Sequence, residues 1–203
     1  RTNNNNADTD VGSFYATFNV DSGGVATDYG SEEPDGFIQT GQGFLVQDNA
    51  VDGTNSIAFR NAFRVKDNFN NQFFKFDNSK TARNEEIIRN RVWLNLTNDN
   101  GVFAQTMVCY MDGVTNGLDR GDSKYVNDSE IAFTSKINDA EYIIQSRALP
   151  FDDKDIVPMI FKTPIAGKYT ITLSKTDGFF AEGQNVYIKD NLTNTTHDIK
   201  AGI

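Results

Sequence analysis

The stretch Arg91–Met111 constrains this chain more than any other. Arg91-Val-Trp-Leu-Asn-Leu-Thr97 alternates apolar and polar side chains at period two, Asn98-Asp-Asn-Gly101 is turn chemistry, and Val102 to Met111 resumes an extended pattern. That combination is a β-hairpin and not a pair of helices. Short extended runs recur along the chain at Phe14–Val20, Phe37–Thr40, Gly43–Gln47, Ser56–Phe59, Ala62–Val65, Ile131–Ser135, Tyr142–Ser146, Val157–Lys162, Lys168–Ser174, Asn185–Lys189 and His197–Lys200, with Gly, Asn and Asp turns between them. The pattern predicts an all-β fold, an antiparallel β-sandwich or jelly roll, in one or two sub-domains. In the clearest strand Tyr169, Ile171 and Leu173 form the inward face, opposite Lys168, Thr170 and Thr172. Thr81–Ile88 is the one helix-like stretch, and it is too short to hold alone, so it reads as a loop entering the hairpin. Three regions result: a polar, Asn-rich arm over 1–12, a β region with long loops over 13–90 that includes a ring-bearing irregular stretch over 67–79, and a β-sandwich region over 91–203.

Charge narrows the partners. The net charge of -9 repels phosphate backbones, which bind through clustered Lys and Arg, so nucleic acid is excluded as a partner. No run approaches the roughly 20 apolar residues that cross a bilayer, and the first six residues have no apolar leader region, so the expectation is a chain without a membrane span and trimmed at its start. Burial must come from rings, since Phe 16 and Tyr 7 dominate the apolar content. Cys109 is the single cysteine, which rules out an internal disulfide; in a strand pattern it reads as a small buried hydrophobe.

Candidate chemistry is sparse. Asp112, Asn116, Asp119 and Asp122 share one Gly-containing loop, and hard cations such as Ca²⁺ take six to eight oxygens from loops of this kind. The spacing departs from an EF-hand, because Val114 and Gly121 stand where Asp or Asn is required, and an Asx-rich turn explains the same residues. Asn6, Asp8 and Asp10 fail likewise, with Val11 in place of Gly. Beyond that candidate Ca²⁺ site no cofactor is expected. Arg120-Gly-Asp122 spells an integrin-binding tripeptide, though turn geometry accounts for it.

His197 is the single histidine, and no Gly-x-Ser-x-Gly segment accompanies it, so a Ser-His-Asp triad has no support. Neighbouring acids (Glu32 with Glu33, Glu85 with Glu86, Asp152 with Asp153 and Asp155) read as solvated loop faces more readily than as a glycosidase pair. Trp93 lies on the Arg91 and Asn95 face of its strand, where it either meets a sugar or packs against a second sheet; burial is favoured. The Asn95-Leu-Thr and Asn194-Thr-Thr sequons would mark exposed turns in a glycosylated chain. These residues predict no enzyme, and no ligand-binding set is identified.

A resemblance adds to this reading. Gly41-Gln-Gly-Phe-Leu-Val46, Asn71-Gln-Phe-Phe74, the Asp112–Asp122 loop, Arg147-Ala-Leu-Pro-Phe-Asp152 within Ser146–Pro158, and Asn185-Val-Tyr-Ile within Asn185–Lys200 together resemble the C-terminal region of large secreted and cell-surface proteins of Flavobacterium-like (Bacteroidetes) bacteria, exported by the type IX secretion system. The likeness implies an extracellular or cell-surface, non-enzymatic module with structural, adhesive or sorting-associated work. Its partners would be the sorting machinery or neighbouring subunits, with a surface polysaccharide as a further ligand class. The family pattern supplies no catalytic residue. It also includes a Gly-Asn-Pro-Tyr-Pro segment upstream and an aromatic strand and an Asp-Arg-Phe strand downstream, neither matched here, which implies a domain short of a strand at each end. A missing strand leaves unpaired edges, and a neighbour's strand would complete them, as in a filament or surface assembly. Locally, Gly41 and Gly43 would relax the backbone and Arg147 would pair with Asp152, Asp153 or Asp155.

Overall fold

The structure is a computed structural model and describes residues 15–27, 31, 33–38, 41–47, 58–61, 64 and 88–201. The arm over 1–12, most of the two strand candidates at 56–59 and 62–65, the ring-bearing 67–79 stretch and all of 81–88 except Ile88 lie outside the described residues.

The central hairpin forms as its alternation requires. Strands β3 (Arg89–Asn98) and β4 (Phe103–Met111) pair antiparallel, with Trp93 opposite Met107 and Leu96 opposite Ala104. Asn98 shapes the turn: its Oδ1 accepts from the N–H groups of Asn100 and Val102, and Gly101 takes a φ of 86° that a β-carbon would disfavour.

Around the hairpin a seven-stranded sheet runs in the order β8-β6-β7-β4-β3-β9, with β5 paired to β7, where β5 is Ser123–Lys124, β6 Ala132–Ile137, β7 Ala140–Ala148, β8 Met159–Lys162 and β9 Tyr169–Thr176. Two ribbons flank it, β1 (Thr17–Asn19) with β2 (Gly23–Val25), and β10 (Tyr187–Asp190) with β11 (Thr195–Asp198). A 3-10 turn, Gly178–Phe180, follows β9. The chain is all-β and sandwich-like, as predicted.

Two local expectations are corrected. Pairing is not purely antiparallel: β4 and β7 run parallel, Met107 opposite Ile144 and Met111 opposite Ala148, and the chain between them supplies the long crossover such a pair requires. The runs at Phe37–Thr40 and Gly43–Gln47 carry no strand at any described position, and Leu45 and Val46 are exposed. A short apolar run without alternation does not by itself make a strand.

The sheet is strongly curled. Laid flat, its six-strand path would put β8 and β9 five spacings of about 4.8 Å apart, roughly 24 Å. Instead the rings of Phe161 and Tyr169, on those two end strands, meet edge-on with centroids 4.9 Å apart. On one face Val92, Leu94, Leu96, Val108 and Tyr110 pack with Phe180, and half-buried Phe151, Tyr169, Ile171, Leu173 and Phe179 surround them. Phe179 is held there by Asn90, whose Oδ1 accepts its N–H while Nδ2 donates to the Tyr110 carbonyl. A β-carbon on Gly178 would sit 2.1 Å from that Asn90 oxygen, so this turn admits only glycine.

On the other face Trp93 is buried with Val25, Met107, Tyr125 and Ile144. Its Nε1 donates to the Gly24 carbonyl at 2.9 Å, and the Arg91 guanidinium and Lys175 ammonium stand 4.7 and 4.9 Å from the ring centroid. The ribbon β1–β2 therefore closes over Trp93, which takes the buried alternative of the two weighed for it. Trp93→Phe removes that donor and strands the Gly24 carbonyl. It should lower unfolding free energy by about 2–3 kcal/mol in urea melts followed by circular dichroism, with little change in the spectrum.

Candidate functional site

The densest gathering of polar side chains lies where the 112–122 loop folds back on β7. Asp122 enters the sheet almost fully buried, because its Oδ1 accepts from the backbone N–H of Ser146 at 2.7 Å and from the Ser146 hydroxyl at 3.1 Å. Its Oδ2 accepts from the Asp119 N–H at 2.5 Å. Burial pushes the Asp122 carboxyl up, against the pull of these donors. Asp119 accepts in turn from the N–H groups of Thr115 and Arg120. Asn116 accepts from the Ala148 N–H, and Asp112 is exposed. The four candidate Ca²⁺ residues thus share a loop, yet their contacts are those of an Asx-rich turn stitched to β7, and among the described residues no group of three or more His, Cys, Asp or Glu is arranged to hold a metal. The Arg120-Gly-Asp122 tripeptide offers no free carboxylate, since Asp122 lies inside, and a β-carbon on Gly121 would strike Ser146 at 2.6 Å.

A second network adjoins the first. Arg147 pairs with Asp155 through two nitrogens, Nε to Oδ2 at 2.9 Å and Nη2 to Oδ1, and its Nη1 donates to the Asn116 carbonyl. The Tyr110 hydroxyl donates to Asp155 Oδ2 at 2.8 Å. Of the three aspartates weighed as partners for Arg147, the bend selects Asp155. Burial would raise the Asp155 carboxyl, but the Arg147 guanidinium and the Tyr110 hydroxyl outweigh it and hold it below the usual range. Burial, and after it the Asp155 carboxylate, push the Tyr110 hydroxyl up against the opposing pull of the Arg147 guanidinium. Phe151 stacks edge-on against Tyr110 at 4.9 Å, so an apolar wall backs the network.

Other nucleophilic and binding candidates sit apart. Cys109 is buried on β4, and burial pushes its thiol up to about 12. His197 is exposed on β11, its Nε2 beside the Thr195 hydroxyl at 3.1 Å. Asn95 is buried and accepts from Gln105, which closes its sequon, whereas Asn194 is exposed in the β10–β11 turn with a φ of 54°. A shallow depression of ≈ 210 Å³, lined by Asn127, Asp128, Ser129, Glu130 and Lys162, opens to solvent beside β8. Sequence reasoning did not foresee Ser146, Tyr110 or the depression. Only the neighbouring Asp and Arg residues gave any signal.

The model of a domain of unknown function, DUF8693, matches residues 1–202. The chain belongs to that family. No curated protein and no solved structure matches it.

Two outcomes follow for the DUF8693 chain. A depressed Asp155 contributes stability that is fully present above its unfolded pKa of about 3.9 and is lost as pH falls through the lower folded value. Asp155→Asn should therefore cost about 2–3 kcal/mol near neutral pH, less than a fully buried pair because both heads keep some water contact. In pH-dependent chemical melts that gap should stay flat above about pH 5 and narrow below about pH 4. Cys109 should resist a thiol reagent in the native protein and react at once in denaturant, read by absorbance.

Proposed function

We propose that this chain is a non-catalytic β module of a secreted or cell-surface protein, exported by a type IX-like route, whose work is structural, adhesive or sorting-associated. The supporting observation is where its reactive side chains point. Asp122, Ser146, Arg147, Asp155 and Tyr110 are bonded to one another and to backbone, and they fix the 112–122 loop and the bend after β7 against the sheet. Such a network presents loops rigidly. Its own two carboxylates, Asp122 and Asp155, are engaged in these bonds and do not face each other across an open cleft, the geometry glycoside hydrolysis needs.

Assembly with a neighbour is the second reading. It is favoured by the open end strands: β8 pairs only with β6 and β9 only with β3 among the described residues. A carbohydrate-binding role has less behind it. Trp93 is buried, the exposed rings of Phe44 and Phe59 meet edge-on at 65°, and exposed Phe161 meets half-buried Tyr169 edge-on at 61°, so neither pair forms a flat platform.

The test combines a panel of polysaccharide and peptide substrates with antibody labelling of intact cells that make the parent polypeptide. Surface labelling without turnover is expected. Hydrolysis that disappears in a folded Asp155→Asn or Asp122→Asn variant, or labelling only after lysis, would overturn the reading.

A further inference from the structure

We propose that the free edge of β9 is a two-fold interface, on which Tyr169–Leu173 of one copy pairs antiparallel with the same five residues of a second copy. The inference deepens the assembly reading and rests on it. Among the described residues β9 forms its ladder with β3 alone, and its outer backbone groups make no further backbone bond. An edge strand of eight residues in this state invites pairing unless something guards it. Proline, charge and bulge are absent as guards from its first five residues, Tyr169-Thr-Ile-Thr-Leu173, since the register shift against β3 comes only after Leu173, and the 163–165 segment bonds to the Tyr169 hydroxyl, not to the strand's backbone edge. The other end strand, β8, is blunted by its four-residue length.

The choice of a second copy follows from the polarity of the segment, which reads the same in both directions about Ile171. With Ile171 on the two-fold axis, Tyr169 faces the partner's Leu173, Thr170 faces the partner's Thr172, and Ile171 faces its own copy. Apolar side chains meet apolar ones on one face and threonines meet threonines on the other, the pairings that stabilise antiparallel strands. The charges also stay apart: Lys168 lies opposite the partner's Ser174 and Lys175 opposite the partner's Gly167. Tyr169, Ile171 and Leu173 are only half-buried in one copy, and the partner's identical row extends the apolar face they border. The interface is isologous, so it closes at two copies.

Light scattering after gel filtration, over a concentration series of the full chain, tests this. A dimer that dissociates on dilution is expected. Thr170 and Thr172 point away from the apolar face, so Thr170→Lys with Thr172→Lys leaves the core intact while setting lysine against lysine twice across the axis. That variant should weaken the dimer at least tenfold, with an unchanged melting temperature at concentrations where both proteins are monomeric. Thr170→Lys with Thr172→Glu sets opposite charges in the same places and should restore it. A chain monomeric throughout, a dimer indifferent to the lysine pair, or lysine and lysine–glutamate variants that behave alike would overturn the interface. None of these results bears on catalysis or surface exposure, by which the functional reading stands or falls.

Discussion

Everything in this molecule answers to the burial of β4. All nine residues from Phe103 to Met111 are inaccessible, on both faces of the strand. An antiparallel sheet in water ordinarily leaves one face to solvent, whereas a strand buried on both sides needs a cover above and below. The ribbon β1–β2 and the 112–125 segment supply one cover, and the 3-10 turn with the bend after β7 supplies the other. A parallel neighbour suits such a strand, since parallel pairs belong to sheet interiors.

Polar residues inside the sheet follow from the same constraint. Gln105 and Thr106 lie in β4 without access to water, and each has a partner: Gln105 Nε2 donates to Asn95 and its Oε1 accepts from the Ala26 N–H, while the Thr106 hydroxyl donates to the Ile143 carbonyl. Each of these bonds ties β4 to a different element. Mispairing by one residue would exchange the faces and strand all of them, so the polar contacts fix register where the apolar ones tolerate slippage. Asp122 does the same for the loop, because only one placement gives its two oxygens their three donors.

This division explains what the sequence made legible. The hairpin, its Asn98 turn and the inward row of β9 are local statements, readable from turn chemistry and alternation at period two, whereas alternation set Trp93 beside Arg91 and Asn95 and its burial depends on the distant β1–β2 ribbon. The Arg147–Asp155 pair was half-legible, because the bend was visible but the choice among three aspartates depends on backbone direction. The parallel pairing of β4 and β7, the 3-10 turn held by Asn90 and the descent of Asp122 into the sheet join residues far apart in sequence, and no local pattern encodes them. The run at Gly43–Gln47 makes the converse point: Phe44, Leu45 and Val46 are consecutive apolar residues without the alternation of β9, and among the described residues the run joins no ladder.

An acidic chain with a neutral edge has a further property. At a net charge of -9 two copies repel one another at long range, but that repulsion is screened beyond about 8 Å at physiological ionic strength. Ladder bonds and apolar pairs along Tyr169–Leu173 act only at contact, where screening no longer helps, but the segment itself carries no charge to oppose them there. The charge that keeps these copies apart everywhere else thereby leaves one strip of backbone on which they can meet. That strip belongs to β9, whose inward row is only half covered within one copy.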